Sequence, residues 1–177
     1  MSLKHAILVL LETEPSSGYD LLKQFKNSLG YFWNAKHQQI YQQLKTLTKE
    51  QLIACEPEEQ AGKPDKKIYK ITPKGVDELR SWLTEPVEPN KINDSLLVKL
   101  YGGHLSSSNT LINELQRHQD IHQSTLDKLL GIEQKYLALS PDEQDKFKLP
   151  YLTLRRGIIG EKAWLDWSRE ALDMIKK

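Results

Sequence analysis

The segment His37-Gln38-Gln39-Ile40-Tyr41-Gln42-Gln43-Leu44-Lys45-Thr46-Leu47 sets Ile40, Leu44 and Leu47 at three- and four-residue spacing, the period of one buried helix face. This predicts a helix from about Ala35 to Glu50. The pattern then changes. Leu52-Ile53-Ala54-Cys55-Glu56 and Ile68-Tyr69-Lys70-Ile71 are short runs of strand-favouring residues around a polar stretch holding Gly62 and Pro64, and they read as a hairpin. Thr72-Pro73 opens a further helix, with threonine as N-cap and proline at the first helical position; Val76, Leu79 and Leu83 face its core side and Trp82 lies beside them. Upstream, Leu3 to Leu11 is apolar enough for a buried helix closed by Glu14-Pro15. Ser17, with Asp20 three residues on, reads as the start of a helix carrying Tyr19, Leu21, Leu22 and Phe25 and ending near Gly30.

Three helices, a two-stranded hairpin and a helix, in that order, are the arrangement of a winged helix-turn-helix. In that fold the third helix enters the major groove of DNA and the hairpin touches its backbone. The cluster Glu85-Pro86-Val87-Glu88-Pro89-Asn90 cannot sit inside a helix. It divides the chain into a winged helix-turn-helix DNA-binding domain at 1–85, a linker at 86–92 and an all-helical domain at 93–177. Within the last, Asp94 to Tyr101 is a short helix stopping at Gly102-Gly103, where glycine can take a left-handed cap. Ser107 or Ser108 opens a long helix reaching about Leu139. Ser140-Pro141-Asp142-Glu143 is a second start, and a final helix runs from about Tyr151 to Lys176. The fold class is mainly α with a small β-hairpin.

The 177 residues hold 25 Lys+Arg and 24 Asp+Glu, a net charge of +1 that argues against a simply basic nucleic-acid binder. The distribution reverses that argument. From Leu21 to Lys49 there are Lys23, Lys26, Lys36, Lys45 and Lys49 and no acid. From Gln60 to Val76 there are Lys63, Lys66, Lys67, Lys70 and Lys74 against Asp65 alone, while Glu50, Glu56, Glu58 and Glu59 occupy the stretch between. The two basic segments are those that a winged helix turns toward DNA. The third helix adds Gln38, Gln39 and Gln42, side chains able to pair in two places with adenine; glutamines also serve as plain helix-surface residues. The candidate DNA contacts are Lys36, His37, Gln38, Gln39, Tyr41, Gln42 and Lys45 on this helix, Ser17 and Tyr19 at the start of the second, and Lys63, Lys66 and Lys67 in the wing. The N–H groups at Ser17-Gly18 suit a phosphate as well as a plain cap.

One cysteine, Cys55, excludes an intramolecular disulfide framework and a cysteine-rich zinc site; it reads as a small apolar filler of a strand. No apolar run approaches the ~18 residues of a membrane span. The start Met1-Ser2-Leu3-Lys4-His5 lacks the pattern of a secretory leader, so a cytoplasmic protein is expected. Gly-rich phosphate loops, HExxH and GxSxG are lacking, so neither an enzyme nor a cofactor is expected.

The opening Leu3-Lys4-His5-Ala6-Ile7-Leu8 with Ser17-Gly18-Tyr19-Asp20-Leu21, then Phe32-Trp33, then Gln39-Ile40-Tyr41-Gln42-Gln43-Leu44-Lys45-Thr46-Leu47 and Ile68-Tyr69-Lys70-Ile71-Thr72-Pro73-Lys74-Gly75, resemble PadR-family transcriptional regulators. Leu100-Tyr101-Gly102-Gly103 and Trp164-Leu165-Asp166-Trp167 resemble the helical C-terminal region of the family's longer members. The resemblance implies a homodimeric repressor on a two-fold operator, released by a small phenolic or drug-like effector. The family usually carries glycine after the Lys-Glu that ends the third helix, where this chain has Gln51; a glutamine held left-handed costs about 1 kcal/mol.

On the last helix, Gly157, Gly160, Trp164, Trp167, Ala171 and Met174 follow helical spacing, beside a second stripe of Leu154, Ile158, Leu165, Leu172 and Ile175. An apolar arc this wide needs cover on two sides, which assigns Leu154, Ile158, Gly160, Trp164, Trp167, Ala171 and Met174 to a homodimer interface. Trp164 and Trp167 are also candidate walls for a small aromatic effector. His118 and His122 lie four apart on an apolar stripe with no third metal ligand evident, and no metal is expected. Two rival readings share these features: a winged-helix protein-interaction module without DNA binding, and a small helical ligand-binding subunit.

Overall fold

The computed structural model describes residues 3–30, 33, 35–58, 66–89, 91 and 93–176. They form two compact units, Met1–Asn90 and Lys91–Lys177. The first unit contains α1 (Leu3–Thr13), β1 (Ser16–Ser17), α2 (Gly18–Ser28), α3 (His37–Lys49), β2 (Ile53–Glu58), β3 (Lys66–Ile71) and α4 (Pro73–Leu83). This is a winged helix. The hairpin pairs antiparallel with Cys55 opposite Tyr69, and its expected turn at Gly62 and Pro64 lies outside the described residues. One strand is additional to the sequence reading. Ser16 and Ser17 pair with Tyr69 and Ile68, so β3 is central in the order β1-β3-β2.

The core of this unit gathers Ile7, Leu8 and Leu11 of α1, Leu21 and Phe25 of α2, and Ile40, Leu44 and Leu47 of α3, closed by Leu52, Ile53 and Leu79. Burying that stripe of α3 turns the rest of the helix outward. Two close approaches fix its direction. A Cβ on Gly18, the first residue of α2, would lie 2.8 Å from the Tyr41 ring, so glycine lets α2 start against α3. At α4, the His5 ring stacks on Trp82 with centroids 4.4 Å apart, tying α1 to the far side of the unit.

The junction between α3 and the wing resolves the question set by Gln51. Gln51 N–H donates to the Thr48 carbonyl at 3.1 Å and Leu52 N–H to the Leu47 carbonyl at 3.0 Å, the bond pair of a Schellman cap. Gln51 occupies the left-handed position with φ 60°, the one positive-φ non-glycine among the described residues. The following segment holds it there: the Thr72 hydroxyl donates to the Gln51 carbonyl at 2.7 Å, and Lys74 Nζ donates to the Glu50 carbonyl at 2.9 Å. Leu47 and Leu52, both buried, close the turn from inside. The wing therefore leaves α3 along the path glycine would give it, and the strain stays local. Gln51→Gly should raise stability by about 1 kcal/mol, or about 4–8 °C in Tm for a unit this size. A melting temperature unchanged or lowered would show that no strain is stored there.

The second unit contains α5 (Ser95–Tyr101), a 3-10 turn (Gly103–Leu105), α6 (Ser108–Leu137), α7 (Pro141–Lys146) and α8 (Lys148–Lys176). Asp94, Ser107 and Ser140 cap α5, α6 and α7. Gly102 does not take the expected left-handed cap: its φ is −88° and the chain tightens directly into the 3-10 turn. Gly103 instead leaves room for Leu111, whose Cδ1 would lie 2.8 Å from a Cβ there and would have to shift. α8 starts at Lys148, ahead of the expected Tyr151, because Pro150 sits in its first turn, where its missing N–H has no helical partner to lose. α6 and α8 run antiparallel, joined by Gln119 Nε2 to Ser168 Oγ at 2.8 Å at one end and by Arg155 Nη1 to Glu133 Oε1 at 2.8 Å toward the other. Among the described residues no helix is long and apolar enough to cross a membrane.

Candidate DNA interface

With Ile40, Leu44 and Leu47 buried, Gln38, Gln42, Lys45 and Lys49 fall on the opposite side of α3, within an arc of roughly 60° at ~100° per residue, and all four are exposed. Lys45 and Lys49 have no ion-pair partner among the described residues. The side chains of Gln38 and Gln42 are likewise without a hydrogen-bond partner there. This face carries positive charge and unused amide groups, and no acid.

Gln39 differs. Its Oε1 accepts the Lys36 N–H at 2.8 Å, which caps the start of α3. A glutamine three residues after the cap is a capping-box position, so this role was visible in the spacing. Half of its amide is spent on the helix before any base arrives. Lys36 is exposed at the cap, and His37, exposed, packs its ring on half-buried Tyr41 at 4.5 Å between centroids. Tyr41 in turn abuts Gly18, so the expected contact residues of α2 and α3 meet at one edge.

At the start of α2, Tyr19 is 70% exposed. Ser17 is not available in the way the sequence suggested. It is 4% exposed, and its hydroxyl accepts the Asp20 N–H at 3.1 Å while donating to Asp20 Oδ2 at 2.7 Å. Its side chain is a satisfied cap inside the sheet edge, and Asp20 already supplies the negative charge that a helix start attracts. The Ser17 hydroxyl is therefore engaged within the protein.

In the wing, Lys67 is exposed. Lys66 Nζ sits 2.7 Å from Asp20 Oδ2, and Lys70 Nζ 2.6 Å from Glu56 Oε2. The hydrogen bond from Lys66, then that from Ser17, hold the Asp20 carboxyl below the usual carboxylate range, so it stays ionised through neutral pH. Lys63 lies outside the described residues. Sequence reading missed Lys49 as a member of the α3 face, although its spacing from Lys45 and Gln42 pointed there. It also missed the pairing of Lys66 with Asp20, for which no local signal exists.

In the helical unit the expected interface residues separate. Leu154 and Ile158 are buried against α6 with Leu165 and Leu172, so they belong to the protomer's own seam and not to a surface. Gly157 serves the same seam, its Cβ position 3.2 Å from Leu129 Cδ1, whereas a Cβ on Gly160 would meet only Arg156 Nη1. Trp164, Trp167 and Ala171 are half-buried against Leu96, Leu115 and Leu172, and Met174 is exposed. Trp164 is stacked on His122 at 3.7 Å and meets Trp167 edge-on at 5.6 Å, while His122 Nδ1 lies 2.6 Å from Glu161 Oε2. One face of Trp164 is thus covered by His122, whose ring is held by Glu161.

Residues 7–81 match the model of the transcriptional regulator PadR-like family, and residues 92–176 match that of the virulence activator alpha C-terminal region. The chain is 36% identical to Rv1176c of Mycobacterium tuberculosis, named a probable transcriptional regulator, over 100% of this chain and 99% of that protein. It is also 36% identical to the negative transcriptional regulator PadR of Bacillus subtilis, over 99% of this chain and 98% of the relative. The crystal structure of Bacillus subtilis PadR with operator DNA superposes with a TM-score of 0.82 at 35% identity, covering 98% of each chain. The structure of the same protein with p-coumaric acid gives 0.75 at 33% identity, covering 99% of each. Both relatives are named as regulators rather than enzymes. From end to end, then, this chain belongs to the PadR-like family of DNA-binding transcriptional regulators.

Proposed function

We propose that the protein is a cytoplasmic, homodimeric repressor that sets α3 of each protomer into a major groove of a two-fold operator and lets go when a small aromatic effector binds. The observation that carries this reading is the α3 face: Gln38, Gln42, Lys45 and Lys49 exposed together opposite the buried stripe. The lysines supply the salt-dependent, sequence-blind part of the affinity and the glutamines the sequence-dependent part. Tyr19, Lys36, His37, Tyr41 and Lys67 flank this face on α2, α3 and β3.

The homodimer is supported by α8. Leu149, Leu152, Ile159 and Met174 are exposed on the side of the helix roughly 180° from Leu154, Ile158, Leu165 and Leu172, at ~100° per residue. A unit built mainly on two long helices has no further element to cover that stripe, and a second copy does so by symmetry. The interface then centres on this stripe, with Gly160, Trp167 and Ala171 at its edge. Leu152→Glu combined with Ile159→Glu should leave the helical content unchanged, convert the sedimenting species to a monomer and lower operator affinity at least tenfold. A doubly substituted chain that still sediments as a dimer would place the interface elsewhere.

Effector release is supported by the relatives: Bacillus subtilis PadR has been crystallised both with operator DNA and with p-coumaric acid. The whole reading is tested by a gel shift on the DNA upstream of the protein's own gene, repeated with phenolic acids. Specific, salt-sensitive binding that a phenolic acid reverses is expected. Binding no tighter than to random DNA would refute it.

A further inference from the structure

We propose that Asp20 sets the strength of the protein's electrostatic hold on DNA: by clamping Lys66 it withdraws that cation from the phosphate-binding set, so the protein holds DNA more weakly than its lysines imply. The inference rests on the DNA-binding reading.

The geometry is specific. Lys66 is the first residue of β3, at the turn end of the described hairpin opposite Glu58, and its Nζ lies 2.7 Å from Asp20 Oδ2. The same oxygen accepts the Ser17 hydroxyl at 2.7 Å, and Ser17 Oγ accepts the Asp20 N–H at 3.1 Å. Ser17 is itself fixed, paired in the sheet opposite Ile68. The carboxylate is therefore not a mobile surface charge but one oriented from behind by a buried hydroxyl. The ion pair it makes remains within reach of solvent, the two side chains being 36% and 42% exposed. A DNA phosphate arriving at the wing that takes Lys66 displaces Asp20, and the displaced carboxylate then faces a polyanion. Both effects oppose the exchange.

Charge placement around the pair agrees. Asp20 stands immediately before the acid-free stretch from Leu21 to Lys49, in the first turn of α2. Lys70 is neutralised in the same manner by Glu56 at 2.6 Å. Among the described residues, exposed cations outside any such pair include Lys23 and Lys26 on α2, Lys36 at the cap of α3, Lys45 and Lys49 on α3, and Lys67 on β3; Lys45 and Lys49 share the face that carries the glutamines. Non-specific binding, which scales with the number of phosphates neutralised, is trimmed by the paired lysines.

The test is a double-substitution cycle on the full chain, read as the slope of log affinity against log salt on a random duplex and on the upstream duplex. Asp20→Asn should steepen the random-duplex slope by about 0.9 per protomer engaged, a roughly threefold larger loss of affinity between about 50 and 200 mM salt. The ratio of operator to random affinity should stay as it is, because a phosphate contact is blind to sequence. Asp20→Asn with Lys66→Ala should return the slope to the wild-type value, because the pair removed together contributed nothing. Melting curves confirm that each variant is folded; Lys66→Gln replaces Lys66→Ala if the latter is not. Two results overturn the inference while leaving DNA binding intact: a double variant whose slope falls about 0.9 below wild type, meaning Lys66 already holds a phosphate, or Asp20→Asn with an unchanged slope. No salt-dependent binding by the wild-type chain would overturn both the inference and the reading beneath it.

Discussion

Replacing Gly75 by alanine should destabilise the winged-helix unit by about 3 kcal/mol, the largest effect of adding a methyl group at any of the described glycines. Gly75 lies in the first turn of α4, where alanine would ordinarily help the helix by about 1 kcal/mol. Here its Cβ would lie 2.1 Å from the Leu52 carbonyl oxygen and 2.8 Å from Ile71 Cγ1. The nearer neighbour is backbone, and it is committed: the Leu52 carbonyl accepts the Thr72 N–H at 3.0 Å, and the Gly75 N–H completes the local set by donating to Thr72 Oγ1 at 3.1 Å. Moving that carbonyl aside breaks the hydrogen bonds of the turn that holds Gln51, and the wing loses its angle to α3. Full-length Gly75→Ala should show an earlier unfolding transition in denaturant, with operator affinity falling at protein concentrations where the fold survives. A loss of stability under about 1 kcal/mol would mean that the α3–wing junction is softer than its hydrogen bonds indicate.

The elements of both units were readable because each carries a local cause. Ile40, Leu44 and Leu47 specify a helix face, Thr72-Pro73 a helix start, and Ser140 with Glu143 a capping box. The misses fall where the cause is not local. Ser16-Ser17 has no strand character of its own and pairs only because β3 offers an edge. Gly102-Gly103 was read through backbone freedom, whereas the structure uses the missing side chain at Gly103 to admit Leu111. The DNA face follows the same division. Which α3 residues face outward follows from the buried stripe alone, and that includes Lys49. Whether an exposed polar group is still available does not, because it depends on partners from elsewhere in the fold: Gln39 is spent on a cap, Lys66 on Asp20 and Lys70 on Glu56. The helical half shows the same limit at a larger scale. Two apolar stripes were legible on α8, but only the fold reveals that α6 consumes the one with Leu154 and Ile158, that the one with Trp164 and Trp167 is half-buried, and that Leu149, Leu152 and Ile159, in neither stripe, are exposed.

Gln42→Ala should reduce affinity for the operator by about 2–6 kcal/mol while changing affinity for random DNA little. The size follows from symmetry: a good bidentate contact to a base discriminates by about 1–3 kcal/mol, and a two-fold complex loses it twice. The selectivity follows from position. Gln42 is exposed one turn beyond Gln38 and next to Lys45, on the arc opposite Ile40 and Leu44, so truncating it removes no core contact and no lysine. The salt slope should therefore stay as it was. Gln39→Ala provides the contrast. Because Gln39 Oε1 holds the Lys36 N–H at 2.8 Å, its loss frays the start of α3 by roughly 0.5–2 kcal/mol, and operator and random DNA should suffer alike. Titrating both duplexes with both variants separates a residue that reads bases from one that positions the reader. Equal losses on the two duplexes for Gln42→Ala would reduce it to a surface residue and pass base recognition to its neighbours on the face.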